Sequence, residues 1–145
     1  MTENDTPFSV ETTFYIRYAE TDAMGIVHHA SYIVYFEEAR SVYTRARGRS
    51  YAEMEQDGYF LAVTEVHSRY HRSMRYGQQV TVKCWASEVK SRTLKFNYEI
   101  YDAATRELCV SGQTSHICLD HAGKVARFPS SWTQHWEVPL NKEDH

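Results

Sequence analysis

The residues best suited to chemistry lie in one short run, Arg17-Tyr-Ala-Glu-Thr-Asp22-Ala-Met-Gly25-Ile-Val-His28-His29-Ala-Ser-Tyr32. It sets a carboxylate, Asp22, on a turn after a strand-like segment, then a glycine, then the opening of a segment with helical spacing. The first N–H groups of a helix have no intrahelical acceptor and carry partial positive charge. They can polarise a carbonyl or hold a developing oxyanion. A carboxylate a few residues upstream can attack that carbon or activate a water beside it. The arrangement suits acyl transfer to water. Spacing alone names no enzyme, because a turn or helix-entry aspartate satisfies the same pattern.

These residues need a strand before them and a helix after them, and the chain supplies both. Residues from about 10 to 18 alternate with period two, with Val10, Thr12, Phe14 and Ile16 on one face. From about His29 to Arg47 the period becomes helical: Tyr32, Phe36, Ala39, Tyr43 and Ala46 form a stripe, with Glu37, Glu38, Arg40 and Arg45 off it. Gly48 is placed to stop that helix. Ser50-Tyr-Ala-Glu53 has capping-box spacing and opens a short second helix that Gly58 ends. Four strands follow: Phe60 to His71, about 79 to 88, about 93 to 101 and about 107 to 119. Phe60, Ala62, Thr64, Val66, Ser68 and Tyr70 share one face of the first. Turns fall at Tyr76-Gly77, at residues 102–105 and at residues 120–123. Consecutive strands give an antiparallel sheet, and one long amphipathic helix can cover one of its faces. The fold class is α+β.

The chain has 145 residues, 42% of them hydrophobic, which suits one domain with a real core. Polar tails are expected at about 1–8 and 130–145. Sixteen Lys and Arg against nineteen Asp and Glu leave a net charge of −3, a poor match to nucleic acid, which is bound through clustered positive charge. No stretch approaches the roughly 20 apolar residues that span a bilayer. The opening Met1 to Pro7 is polar and acidic, unlike a secretion signal. Three widely spaced cysteines without a CxxC pair read as reduced thiols, so a cytoplasmic protein is expected. Eleven Tyr, six Phe and three Trp fit a sheet-rich core, an oligomer interface or a pocket for a flat or greasy ligand.

The run from Arg17 to Arg40 resembles the N-terminal signature of the hotdog-fold thioesterases of the 4-hydroxybenzoyl-CoA thioesterase type, including the YbgC-like acyl-CoA thioesterases. The similarity continues in Ser68-Arg-Tyr-His-Arg-Ser-Met-Arg-Tyr-Gly77, in the run Lys90 to Tyr101 and in Gly112-Gln-Thr-Ser-His-Ile-Cys-Leu-Asp120. It covers about 10 to 130, with Thr21-Asp22-x-Met24-Gly25 its most specific core. The resemblance implies one long helix wrapped by an antiparallel sheet of five or six strands. It also implies an acyl-CoA thioesterase in which Asp22 is nucleophile or general base and the backbone N–H of His29 polarises the carbonyl.

By the same resemblance Gly25 and Ile26 shape the acyl site and Tyr32 opens the helix beside it. Two chains join edge to edge as a homodimer, or pair again as a homotetramer. Tyr70 and His71 of the partner subunit line the pocket, and Ser91 and Arg92 approach the nucleotide part of CoA. CoA belongs to the substrate, so no cofactor is implied. Two positions depart from the family pattern. His28-His29 stand where relatives carry Tyr-His or Asn-Asn, and Ser73 stands where a proline is common. A thioesterase acting on acyl carrier protein and a non-catalytic acyl-CoA-binding module are the two alternatives.

Other clusters read more plainly. His28-His29 and the pair His67 and His71 lack zinc-site spacing, so no metal is expected. Glu37 and Glu38 are expected to be solvated or paired with Arg40 or Arg45. Arg69, Arg72 and Arg75 form a basic cluster that either meets CoA phosphates or solvates a strand end. Cys84, Cys109 and Cys118 read as core residues rather than nucleophiles.

Overall fold

The structure, a computed structural model, describes residues 7–134, Trp136 and residues 140–141. Strand β1 (Ser9–Tyr15) leads through a single 3-10 turn (Tyr18–Glu20) and a loop into the long helix α1 (His29–Ala46), followed by the short helix α2 (Tyr51–Gln56). Strands β2 (Tyr59–Tyr70), β3 (Gln79–Lys90), β4 (Thr93–Asp102) and β5 (Leu108–Asp120) come next. A short helix α3 (Ser130–Thr133) and the two-residue strand β6 (Leu140–Asn141) close the described chain.

The sheet order is β1-β3-β4-β5-β2, antiparallel throughout, with β6 added in parallel to Val89 and Lys90 of β3. Helix α1 lies across one face of this sheet, the α+β hotdog arrangement. Its buried stripe consists of Tyr32, Tyr35, Phe36, Ala39, Arg40, Tyr43 and Thr44. Beneath it stand Val80, Val82, Cys84 and Ala86 of β3, and Leu94, Phe96, Tyr98 and Ile100 of β4, all buried as period two demands. The Phe36 ring stacks on Tyr98 at 4.3 Å. Helix and sheet meet so closely at Gly112 that a Cβ there would lie 2.4 Å from Phe36 Cζ.

The helix ends follow from local chemistry. Ser50 and Glu53 form the expected capping box, and Gly48 closes α1 in the left-handed region at φ +95°.

Four readings of the sequence change. A register shift between Val63 and Glu65 inserts an extra residue into β2, so the run Phe60 to Tyr70 does not keep one face. Leu61 and Val63 oppose Cys118 and His116, whereas beyond the bulge Val66, Ser68 and Tyr70 take over that side. Arg40, placed off the helical stripe, is 6% exposed, because Tyr51 and Tyr98 accept hydrogen bonds from its guanidinium at 3.2 Å each. Ala46, placed on the stripe, is exposed, since the helix ends there. The stretch from about 130, read as a tail, opens on α3, whose Trp132 is 1% exposed and packs edge-on against Tyr59. The start of the other tail, residues 1–6, and residues 142–145 lie outside the described residues.

Candidate active site

The Asp22 turn is built from its own side chain and one glycine. Asp22 Oδ1 accepts the Met24 N–H at 2.8 Å and, more distantly, the Ile26 N–H at 3.4 Å. Its backbone N–H donates to the Ile26 carbonyl at 2.8 Å, and the Gly25 N–H returns to the Asp22 carbonyl at 3.0 Å. Gly25 sits at φ +79°, a conformation open to glycine and strained for other residues. These bonds occupy Oδ1 and leave Oδ2 without a protein partner among the described residues.

Helix α1 begins immediately after this loop. His28 is its N-cap: its Nδ1 accepts the Ala30 N–H at 3.2 Å, and its carbonyl accepts the Ser31 N–H at 2.8 Å. An imidazole here does the work usually left to Ser, Asp or Asn. The His28 ring stacks on that of His29 at 4.3 Å. With Ala30 and Ser31 satisfied, the His29 N–H is a first-turn donor with no acceptor among the described residues. The helix dipole adds partial positive charge at the same point.

Asp22 and His29 border one depression of about 220 Å³, together with Ile26, Val27, Tyr32, Tyr70, Arg72 and Ser73. Tyr32 forms a wall, its ring 5.5 Å from that of Tyr70. Burial pushes the Tyr32 phenol up to about 12, so it stays protonated. The Tyr70 hydroxyl donates to the His29 carbonyl at 3.2 Å. Arg72 leans outward to Glu107 at 2.9 Å. The arrangement offers a carboxylate, an amide donor and an aromatic wall around one small space, the set needed to attack and polarise a carbonyl.

Of the residues the sequence singled out, Asp22, Ile26, His29, Tyr32 and Tyr70 come together, with Gly25 in the adjoining turn. Tyr70 lines the depression of its own chain, whereas the sequence assigned it to the pocket of a partner. His71 points elsewhere, its Nε2 3.0 Å from Ser111 Oγ. Ser91 and Arg92 follow β3, whose opposite end carries Gln79 beside Tyr15 of β1. Within one chain they are therefore separated from Asp22 by the length of that strand. Val27 was missed as a lining residue. Arg72, read as part of a basic cluster that either meets CoA phosphates or solvates a strand end, and Ser73, read only as a departure from the family pattern, also border the depression. The three cysteines are unpaired and buried, as read. Glu37 lies 4.0 Å from Arg40, also as read.

Comparison with known proteins shows the family and the fold. Residues 16–136 match the thioesterase-like superfamily. A Bacillus subtilis protein provisionally named acyl-CoA thioesterase YneP is 36% identical over 105 residues, 72% of this chain and 75% of that protein. The acyl-CoA thioester hydrolase YbgC of Escherichia coli is 24% identical over 105 residues, 72% of this chain and 78% of its own. The crystal structure of a DHNA-CoA thioesterase from Staphylococcus aureus superposes with a TM-score of 0.83 at 34% identity, covering 88% of this chain and 87% of that one. The chain belongs to the thioesterase-like superfamily and is a thioester hydrolase of hotdog fold.

Proposed function

We propose that this hydrolase cleaves acyl-CoA to a free carboxylic acid and CoA in the depression at the N-terminus of α1. The observation that carries the reading is that the open Oδ2 of Asp22 and the acceptor-free N–H of His29 belong to residues bordering the same small space. The thioester carbonyl oxygen rests on the His29 amide. Asp22 then attacks the carbonyl carbon, giving an acyl anhydride and expelling CoA as its thiolate, and water cleaves the anhydride. In the general-base variant Asp22 takes a proton from a water that attacks directly. Either route uses side chains and backbone alone, so no cofactor enters; CoA is part of the substrate.

The acting unit in this reading is a homodimer or a dimer of dimers. Support comes from β2, an edge strand of the described sheet with Phe60, Val63, Val66 and Tyr70 all at least 38% exposed. A partner across that edge brings further residues, His71, Ser91 and Arg92 among them, to the CoA. Three unpaired cysteines favour a reducing compartment, the cytoplasm.

Thiol release from a panel of aromatic, short and medium acyl-CoAs tests the proposal, with wild type and Asp22→Asn side by side. Asn keeps the shape and removes the base, and kcat should fall ~100-fold or more. Turnover near wild type in the variant would remove Asp22 from the chemistry. Silence across the panel would move the substrate to acyl carrier protein if CoA fails to bind, and would mark a non-catalytic acyl-CoA-binding module if it binds.

A further inference from the structure

We propose that Glu20 and Tyr35 are positioning residues, a clamp that holds the Asp22 turn against the first turn of α1. The inference rests on the roles given above to Asp22 and His29.

Glu20 is the last residue of the 3-10 turn, two positions before Asp22. Its backbone carbonyl accepts the His28 N–H at 2.9 Å and the Ser31 hydroxyl at 3.1 Å. Its carboxylate reaches a different part of the helix: Oε1 accepts the Tyr35 hydroxyl at 2.7 Å and the Arg17 N–H at 2.9 Å. Oε2 accepts from Arg17 Nε at 2.7 Å. One residue thus ties the loop to the N-cap, to the first turn and to the second turn of α1. The residues on either side of this knot are the two that need a fixed separation, Asp22 and His29.

The helix end of the clamp is rigid. Tyr35 is 1% exposed, and its ring is held edge-on by Phe14 of β1 at 5.0 Å and by Tyr32 at 5.7 Å. It cannot swing to follow a drifting loop. The Arg17–Glu20 pair alone would be a surface contact of little weight, since Arg17 is 65% exposed. The contact to Tyr35 changes that, because it runs into the core.

The protonation states fit the same role. Burial, then the Glu20 carboxylate, raises the Tyr35 phenol well above its ordinary range, so it remains a donor. Burial opposes ionisation of Glu20, but hydrogen bonds from the Arg17 backbone, Tyr35 and the Arg17 side chain prevail and hold it ionised. A charge-assisted bond of this kind is shorter and stronger than a neutral one.

A misplacement of about 1 Å at a reacting centre can cost ~100-fold in rate. The test is the cycle Tyr35→Phe, Glu20→Gln and the double variant, with Glu20→Asp as the shortened acid. Measured are kcat and KM for the best acyl-CoA, the melting temperature, and amide hydrogen exchange over residues 20–31. Each single variant should lower kcat about tenfold with KM within about twofold. The double variant should be no worse than the singles, and Glu20→Asp, one methylene short, should not restore the rate. Exchange of the His28 amide should quicken in every variant while the rest of α1 keeps its protection. Unchanged kcat in Tyr35→Phe, additive losses in the double variant, or unchanged exchange at His28 overturns the clamp. If wild type itself releases no thiol, the catalytic reading fails, and the exchange data alone then decide the clamp.

Discussion

The hydroxyl of Tyr70, the last residue of β2, donates to the backbone carbonyl of His29, the first residue of α1, at 3.2 Å. The two elements that bound the depression are thereby joined at its rim. A neutral hydrogen bond of this kind is worth about 1 kcal/mol, roughly fivefold in rate if it is needed only to align the transition state. Tyr70→Phe should therefore lower kcat/KM by ~5-fold, far less than Asp22→Asn. Steady-state kinetics on one acyl-CoA separates the two, and a Tyr70→Phe loss as large as that of Asp22→Asn would contradict this ranking.

Gly25 should tolerate no side chain without cost. Its φ of +79° is the whole reason, since Arg75 Nη1 would stand an ordinary 3.6 Å from an added Cβ. Gly25→Ala should lower stability by about 1 kcal/mol through backbone strain and disturb the turn that presents Asp22. Urea denaturation reads the first effect and thiol release the second. A variant as stable and as active as wild type would show that the turn relaxes freely.

Gly112 fails for a different reason, space. An added Cβ would meet Phe36 Cζ at 2.4 Å and the His67 carbonyl at 2.9 Å. Gly112→Ala should destabilise by about 1–3 kcal/mol as an overpacked core. Trimming the ring with Phe36→Leu in the same chain should recover part of the loss. Additivity of the two changes in chemical denaturation would mean that the backbone contact to His67, and not the ring, sets the limit.

His116 should make the fold sensitive to acid. Burial, with the nearby Arg40 charge, lowers its imidazole from 6.5 to about 3, so it is neutral in the folded chain. Thr114 Oγ1 sits 2.7 Å from its Nε2 and 2.6 Å from the Tyr98 hydroxyl, which in turn accepts from Arg40. The unfolded chain takes up a proton here as the pH falls through 6.5, and the folded chain does not until about 3. Stability from this group is thus complete above 6.5 and is lost progressively between 6.5 and 3. Between pH 7 and 5 the loss should be about 2 kcal/mol. Urea titrations across that range should give a shallower acid slope for His116→Gln than for wild type. Parallel slopes would assign the acid sensitivity to other groups.

Most of the architecture was legible because it follows from period and punctuation. α1, the capping box at Ser50 and the strands from β2 to β5 fall within a few residues of where alternation, Gly48 and Gly58 put them. The bulge in β2 was not legible, since one inserted residue leaves local composition unchanged and only pairing with β5 exposes it. Nor was Arg40: a charged residue beside a helical stripe reads as solvated until Tyr51 and Tyr98 arrive from elsewhere in the chain. At the site, the Asp22–His29 run was visible as a motif. Glu20 was not, because its weight comes from Tyr35, fifteen residues away and one helical face among several. Ser91 and Arg92 were chosen for their chemistry, and the strand between them and Asp22 places them far apart within one chain.

The sheet order also bears on how the chain comes into being. Strand β2 is made directly after the helices, yet its partner in the sheet is β5, and Tyr59 pairs with Asp120. While β3 and β4 emerge from the ribosome, β2 has no strand to bond, and its Phe60, Val63 and Val66 are open to any other nascent chain. The backbone of β2 thus stays unzipped until β5 has been made, although every residue lining the depression, from Asp22 to Ser73, is already present in the chain by then.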